Sequence, residues 1–206
     1  LQMLENDTVA FLSLRQADAL ALFNVTPGAA GGGTMRWIVG GAHGAWPIRD
    51  LDAGVVHAPG STVWRGQHNA EYVGEGTYYL FDDQGLGNAS RLLALTVDEA
   101  AREATIAWQY VLPALSEEFG DMDPLPSGNV LASYWATHWS DRAPARQAQA
   151  GLVEVVPATK AAAWRLRVYG DACPKTARRR ALRARDGAAS APIAPSSDCE
   201  DGGAYD

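Results

Sequence analysis

Short β-favouring segments separated by turn residues recur along most of the chain. One such segment, in the middle of the chain, has Ile106, Trp108 and Tyr110 at the period of two that is expected of a strand. Glu75-Gly76 and Asp82-Asp83 lie at turns that delimit these segments. The pattern predicts a small antiparallel meander of three segments, Thr77 to Phe81, Arg91 to Val97 and Ala104 to Tyr110.

The same order of strand, turn, strand, turn and Trp-containing strand occurs three times, starting at Thr8, Thr77 and Asn129. A spacing of about 50 to 70 residues is typical of propeller blades joined by loops of variable length. We therefore predict an all-β fold, a partial β-propeller built from antiparallel meanders, with a β-sandwich as the alternative. The tryptophans that end the units are expected in the cores: Trp37, Trp108 and Trp164. The flanking units comprise Thr8 to Leu14, Ala19 to Val25, Thr34 to Val39, Asn129 to Tyr134, Gly151 to Val156 and Ala162 to Val168.

Two segments without clear periodicity are predicted to be long loops, Gly40 to Gly60 and Leu112 to Pro126. His43, His57 and His138 are expected in loops, without an assigned role. The propeller-like domain is expected to span residues 1–170. Residues 171–206 are first basic and then rich in Ala, Pro, Ser, Gly and Asp, which predicts a disordered tail.

Charge and composition exclude some functions. With 24 acidic against 17 basic residues the net charge is −7, so a nucleic-acid partner is not expected. No apolar run approaches the roughly 18 to 20 residues of a membrane span. The two cysteines, Cys173 and Cys199, lack metal-ligand spacing with the histidines and could be bridged or free. Three Asn-x-Ser/Thr sequons, at Asn6, Asn24 and Asn88, weakly favour the secretory pathway, and the compartment stays open.

Candidate chemistry concentrates between Trp64 and Tyr110. His68 is a lone histidine just before the central meander, where its ring can be presented at the start of a strand. Asp82 and Asp83 are expected to cap the turn by accepting backbone amides. Arg91 is either a packing brace or part of a site wall.

Several ordered motifs resemble the arylsulfotransferase family, the type that does not depend on 3′-phosphoadenylyl sulfate. The motifs are Trp37 with Gly40-Gly41, Gln67-His68-Asn69-Ala70, Leu80-Phe81-Asp82-Asp83-Gln84-Gly85, Ser90-Arg91, Trp108-Gln109-Tyr110 and Leu125-Pro126-Ser127-Gly128-Asn129-Val130-Leu131. The similarity covers about Thr8 to Tyr169. It departs from the family at Asp83-Gln84-Gly85, where the usual turn has Asn-Gly and one residue fewer.

The resemblance implies a six-bladed β-propeller of which this chain supplies about three blades, resembling its C-terminal half. It implies that His68 is the catalytic nucleophile, and that Arg15, in a Ser-Leu-Arg strand end, contacts the sulfuryl group. For Arg15 the alternative is an ion pair with Asp18. Arg91 and Asn69 are further candidates for substrate binding. A histidine and an asparagine of the family's site would fall upstream of Leu1.

The implied function is transfer of a sulfuryl group from a phenolic sulfate to a phenol by a ping-pong mechanism, without metal or cofactor. The alternatives are a catalytically inactive propeller that binds carbohydrate or protein, and a sulfate-ester hydrolase. Because a partial propeller leaves an open sheet face, we also expect aggregation or a homodimer.

Overall fold

The computed structural model describes residues 1–25, 33–83, 89–135 and 149–169. Within these ranges the regular structure is fourteen β-strands and one short 3-10 turn, Arg15–Ala17, which confirms the all-β class. The strands are Gln2–Leu4 (β1), Val9–Leu14 (β2), Ala19–Asn24 (β3), Thr34–Val39 (β4), Ile48–Asp50 (β5), Val55–His57 (β6), His68–Gly74 (β7), Thr77–Asp82 (β8), Arg91–Asp98 (β9), Glu103–Val111 (β10), Gly120–Pro124 (β11), Val130–Trp135 (β12), Gln149–Val156 (β13) and Ala161–Tyr169 (β14).

Some sequence predictions fall outside these ranges and stay predictions. They concern the tail at 171–206 with Cys173 and Cys199, His138, the turn residues Gln84 and Gly85, and one position of each of two sequons, Thr26 and Asn88.

The strands form three sheets, each containing a four-stranded antiparallel meander in chain order. The first sheet is β1 to β4, the central sheet contains β7 to β10, and the third is β11 to β14. Each of the nine predicted segments is a strand. Each meander also begins with a strand that the repeat of three segments did not predict, so the antiparallel meanders are confirmed and each has four strands.

The two predicted loops contain strands, and this prediction was wrong. Ile48–Asp50 and Val55–His57 form a hairpin whose β5 runs parallel to β10, and His57 therefore lies in a strand. Gly120–Pro124 forms β11 inside the second predicted loop. Three-residue strands are too short to show a hydrophobic period, and β11 contains Gly, Asp and Pro, which are rare in strands.

Two hydrophobic cores lie on opposite faces of the central sheet. Leu93 and Leu95 of β9 belong to the core shared with the first sheet, and Leu92 and Ala94 to the core shared with the third. Because both faces are buried, β9 carries the unbroken apolar run Leu-Leu-Ala-Leu instead of an alternating pattern.

A β-bulge in β10 moves its side chains from one core to the other. The register with β9 shifts between Ile106, opposite Leu95, and Trp108, opposite Ala94. In a regular strand, residues two apart face the same side. Here the extra residue places Ile106 in the first core and Trp108 in the second. The period of two therefore predicted the strand correctly and did not reveal the change of face.

The prediction that the tryptophans ending each unit are buried holds for two of the three. Trp37 is 2% exposed and Trp108 8%, whereas Trp164 is 42% exposed, so its assignment to the core was wrong. Trp164 lies on β14, where Leu166 and Val168 are also exposed at a period of two. These three side chains belong to the face of the third sheet turned away from the second core. The expected homodimer stays a prediction.

Candidate active site

His68 is the first residue of β7 and lies opposite Phe81 of β8. Its Nδ1 lies 3.1 Å from the backbone oxygen of Gly120, on the first strand of the third sheet. A carbonyl oxygen can only accept a hydrogen bond, so a neutral His68 ring bonded in this way carries its proton on Nδ1. The lone pair is then on Nε2, which makes no hydrogen bond with the described part of the chain.

A glycine at position 120 allows the third sheet to approach closely enough for this contact. A Cβ built on Gly120 would lie 2.3 Å from ring atoms of Phe81. Phe81 is completely buried and cannot move aside. The absence of a side chain on Gly120 therefore brings its carbonyl oxygen to His68.

Arg15 reaches the same region from the turn after β2. Its Nη2 donates to Asp83 Oδ2 and to the backbone oxygen of Glu117, each at 3.0 Å. The alternative ion pair with Asp18 does not form: Arg15 pairs with Asp83, and Asp18 Oδ1 accepts the amide of Gly66 at 2.7 Å. Residues from all three sheets or their connections thus meet at this point.

A cavity of about 580 Å³ is lined by Arg15, His68, Glu117 and Glu118. The structure therefore brings together two of the four candidate site residues. The two glutamates were missed in the sequence, where Ser116-Glu117-Glu118 resembles an ordinary solvated loop.

Asn69 and Arg91 do not line this cavity. The side chain of Asn69 is exposed and donates to Asp121 Oδ1, and its backbone has a φ of 37°, which turns the chain directly after His68. Asn69 therefore connects β7 to β11 beside the cavity.

Arg91 is a buried brace, which is one of the two roles proposed for it. It is 6% exposed and pairs with Asp82 Oδ2 through Nη2 at 2.6 Å. It also donates to Gln109 Oε1 and to the backbone oxygen of Val63. With these partners, Arg91 connects β8 and β10 of the central sheet to the segment that leads into β7.

The turn that Asp82 and Asp83 were predicted to cap continues into residues 84–88, outside the described residues, so that capping stays a prediction; the described partners of both aspartates lie elsewhere. Asp82 Oδ1 does accept a backbone amide, at 3.0 Å, but the donor is Arg65, far away in the chain. The carboxylate of Asp83 is completely buried against Arg15, and its Oδ1 has no hydrogen-bond partner among the residues described. Burial raises the pKa of Asp83 to about 7, despite the opposing effect of Arg15. Burial also raises the pKa of Asp82, and Arg91 opposes this.

The buried Asp83 should make stability depend on pH. Because its folded pKa of about 7 exceeds an unfolded value of about 3.9, the folded chain binds more protons between those pH values, and stability falls as pH rises through that window. Asp83→Asn removes the charge and keeps an oxygen that can accept from Arg15. We expect the free energy of unfolding of Asp83→Asn, relative to that of the wild type, to rise by on the order of 2 kcal/mol between about pH 5 and pH 8. Urea unfolding of both proteins measures this, and a constant difference would contradict the role of Asp83.

Two exposed aromatic side chains continue from the cavity. The ring centroids of His68 and Phe119 are 6.1 Å apart with an angle of 67° between the ring planes, and the ring centroid of Phe119 lies 6.5 Å from that of Trp135. Phe119 is 56% exposed and Trp135 42%. The sequence analysis did not identify either residue as a site residue. Phe119 lies in a predicted loop, and the alternating pattern of the strand that Trp135 ends does not indicate what lies beside it in the fold.

In residues 1–25, 33–83, 89–135 and 149–169, no three His, Cys, Asp or Glu side chains lie together in a way that could hold a metal ion. No helix in these ranges is long and apolar enough to cross a membrane.

Comparison with known proteins adds no relative. No model of a known protein family matches the chain, and no curated protein matches it significantly. The assignment of a function therefore depends on the sequence motifs and on the geometry of the cavity.

Proposed function

We propose that the protein is an arylsulfotransferase-like enzyme that moves a sulfuryl group from a phenolic sulfate to a phenol through a sulfohistidine at His68. The observation that carries this proposal is the hydrogen bond from Nδ1 to Gly120, which leaves the lone pair of Nε2 available in a cavity that also contains a guanidinium. A nucleophile oriented by a partner on its other nitrogen is the usual arrangement in covalent catalysis by histidine.

We further propose that the three sheets are blades of a partial β-propeller. Each sheet is a four-stranded meander, and consecutive sheets share a core, as neighbouring blades do. The first strands of the second and third meanders, β7 and β11, contact each other, and β7 also contacts β2 of the first sheet. His68 begins β7, and Gly120 begins β11, so the site lies where the sheets converge.

In the first half-reaction, His68 Nε2 attacks the sulfur, the N–S bond forms, and the bond from sulfur to the phenolic oxygen breaks. The phenoxide leaves with that electron pair and takes a proton from water. Charge on the sulfuryl oxygens increases in the transition state, and Arg15 is the positively charged donor that lines the cavity.

The intermediate places a positive charge on the imidazole ring, because Nδ1 keeps its proton. Glu117 and Glu118 line the same cavity and stabilise that charge. In the second half-reaction the phenol oxygen attacks sulfur, the N–S bond breaks, and the phenolic proton passes to a base. Glu118, an exposed carboxylate at the cavity, is the base we assign.

The cavity also accounts for an aromatic, singly charged substrate. The exposed ring of Phe119 lies 6.1 Å from that of His68, and the exposed ring of Trp135 lies 6.5 Å from that of Phe119. An aryl group can stack on such ring faces. Two carboxylates in the lining repel a doubly charged phosphate monoester more strongly than a sulfate monoester, which carries one negative charge.

A carbohydrate-binding propeller without catalysis is the second candidate. The observation in its favour is the same exposed aromatic pair, flanked by Glu118 and by the Asn69–Asp121 contact. Aromatic faces beside carboxylate and amide groups can bind the apolar faces and the hydroxyl groups of sugars.

The test is to incubate the purified protein with 4-nitrophenyl sulfate in the absence of a phenol, followed by intact mass and peptide mapping. We expect nitrophenol release and the mass increase of one sulfuryl group on the peptide that contains His68, with none on the peptides containing His43 or His57. Added phenol should then remove the adduct and raise turnover, whereas a hydrolase would show no dependence on phenol. A folded protein that forms no adduct and releases no nitrophenol would favour the carbohydrate-binding alternative.

A further inference from the structure

A second cavity, of about 340 Å³, also has Arg15 in its lining. Arg15 lines both cavities, while His68, Glu117 and Glu118 line only the first. The side chains and backbone around the second cavity are polar: Arg15, Gln16, Asp18, Thr62, Arg65 and Gly66.

The two cavities differ in charge. In the first, Arg15 faces two glutamates, whereas in the second Arg15 and Arg65 face the single carboxylate of Asp18. One oxygen of Asp18, Oδ1, already accepts the Gly66 amide. Arg15 is also paired with Asp83, which lines neither cavity, so Arg65 is the additional cation of the second cavity. The lining of the second cavity therefore favours an anion more than that of the first does.

Arg65 has a free guanidinium on a firmly held backbone. Its own amide donates to the buried carboxylate of Asp82 at 3.0 Å, and the next amide, of Gly66, is held by Asp18. The exposed guanidinium makes no ion pair or hydrogen bond with any residue of the described ranges. Thr62 and Gln16 add a hydroxyl and an amide that can donate to the same ligand.

We propose that this second cavity is an oxyanion-binding subsite, distinct from the His68 cavity, in which Arg65 and Arg15 bind a sulfate, phosphate or carboxylate group. Guanidinium groups bind such planar or tetrahedral oxyanions through paired, charge-assisted hydrogen bonds. The anion comes either free from solution or as a second charged group on the aryl sulfate. In the latter case the inference rests on the proposed function and defines the substrate class as aryl sulfates with an additional anionic substituent.

The first arm of the test is calorimetric titration with inorganic sulfate at constant ionic strength. Arg65→Gln should weaken binding by at least about tenfold, as expected for loss of a charge-assisted hydrogen bond. The matched control is Arg102→Gln, another exposed arginine, on the turn between β9 and β10. Arg102→Gln and His68→Gln should both bind sulfate as the wild type does. The subsite would be overturned if the wild type shows no saturable sulfate binding, or if Arg65→Gln binds sulfate as tightly as the wild type. Loss of sulfate binding in His68→Gln would overturn it as well.

The second arm identifies the source of the anion. Sulfuryl transfer from 4-carboxyphenyl sulfate and from 4-nitrophenyl sulfate is compared in the wild type and in Arg65→Gln. If Arg65→Gln raises the KM of the carboxylated donor alone, the anion is part of the substrate. If Arg65→Gln changes the KM of both donors equally, the anion is a free oxyanion. If the wild type uses neither donor, the proposed function fails, while the sulfate titration still decides whether the subsite exists.

Discussion

Arg91→Met should destabilise the protein by about 3 to 5 kcal/mol, because it leaves the carboxylate of Asp82 buried without its counter-charge. The guanidinium and the carboxylate are both nearly inaccessible, with 7% and 0% of their side chains exposed. Methionine can fill much of the space, but it cannot donate to Asp82, Gln109 or the Val63 carbonyl. The measurement is urea unfolding followed by tryptophan fluorescence.

The matched control for this prediction is Arg49→Met. Arg49 also makes a two-point ion pair, with Glu103, but its side chain is 47% exposed, so we expect little measurable change. Adding Asp82→Asn to Arg91→Met should restore part of the lost stability, because it removes the uncompensated charge. If Arg91→Met unfolds no more easily than Arg49→Met, the brace does not stabilise the central sheet.

His68→Gln should lower sulfuryl transfer by at least about a thousandfold while leaving the fold intact. The glutamine amide can still donate to the Gly120 carbonyl, but no nitrogen lone pair remains to attack sulfur. Transfer from 4-nitrophenyl sulfate to phenol is measured together with the unfolding curve. His57→Gln, on β6 and away from the cavity, should leave the rate unchanged.

Added imidazole provides a further check on the role of His68. In His68→Gly, the space left by the ring should admit free imidazole, which can attack sulfur in its place, so part of the rate should return. Retention of most activity in His68→Gln, with a normal unfolding curve, would exclude His68 as the nucleophile.

Part of the candidate site could be predicted from the sequence. The motif containing Gln67 and His68 led to the histidine, and the strand end at Ser13 to Arg15 led to the arginine that shares its cavity. The glutamates and the exposed Phe119 were missed. They lie in a segment whose residue types resemble a solvated loop. Only the strand that follows it, which pairs with β12 and packs against Phe81 at Gly120, brings this segment to the site.

The sequence by itself determined nine of the fourteen described strands and their grouping into three meanders, because backbone preference and turn chemistry act between residues close in the chain. It could not determine which face of a strand is buried once a bulge intervenes, as for Ile106 and Trp108. Nor could it show that Trp164 lies on an exposed face. The partners of these polar groups are far apart in the chain: Arg15 binds Asp83, the backbone amide of Arg65 binds Asp82, and His68 binds the Gly120 carbonyl. Such contacts depend on how distant segments pack against each other, so only the tertiary structure decided them. The close approach of two sheets at Gly120, for example, has no signal in the neighbouring sequence.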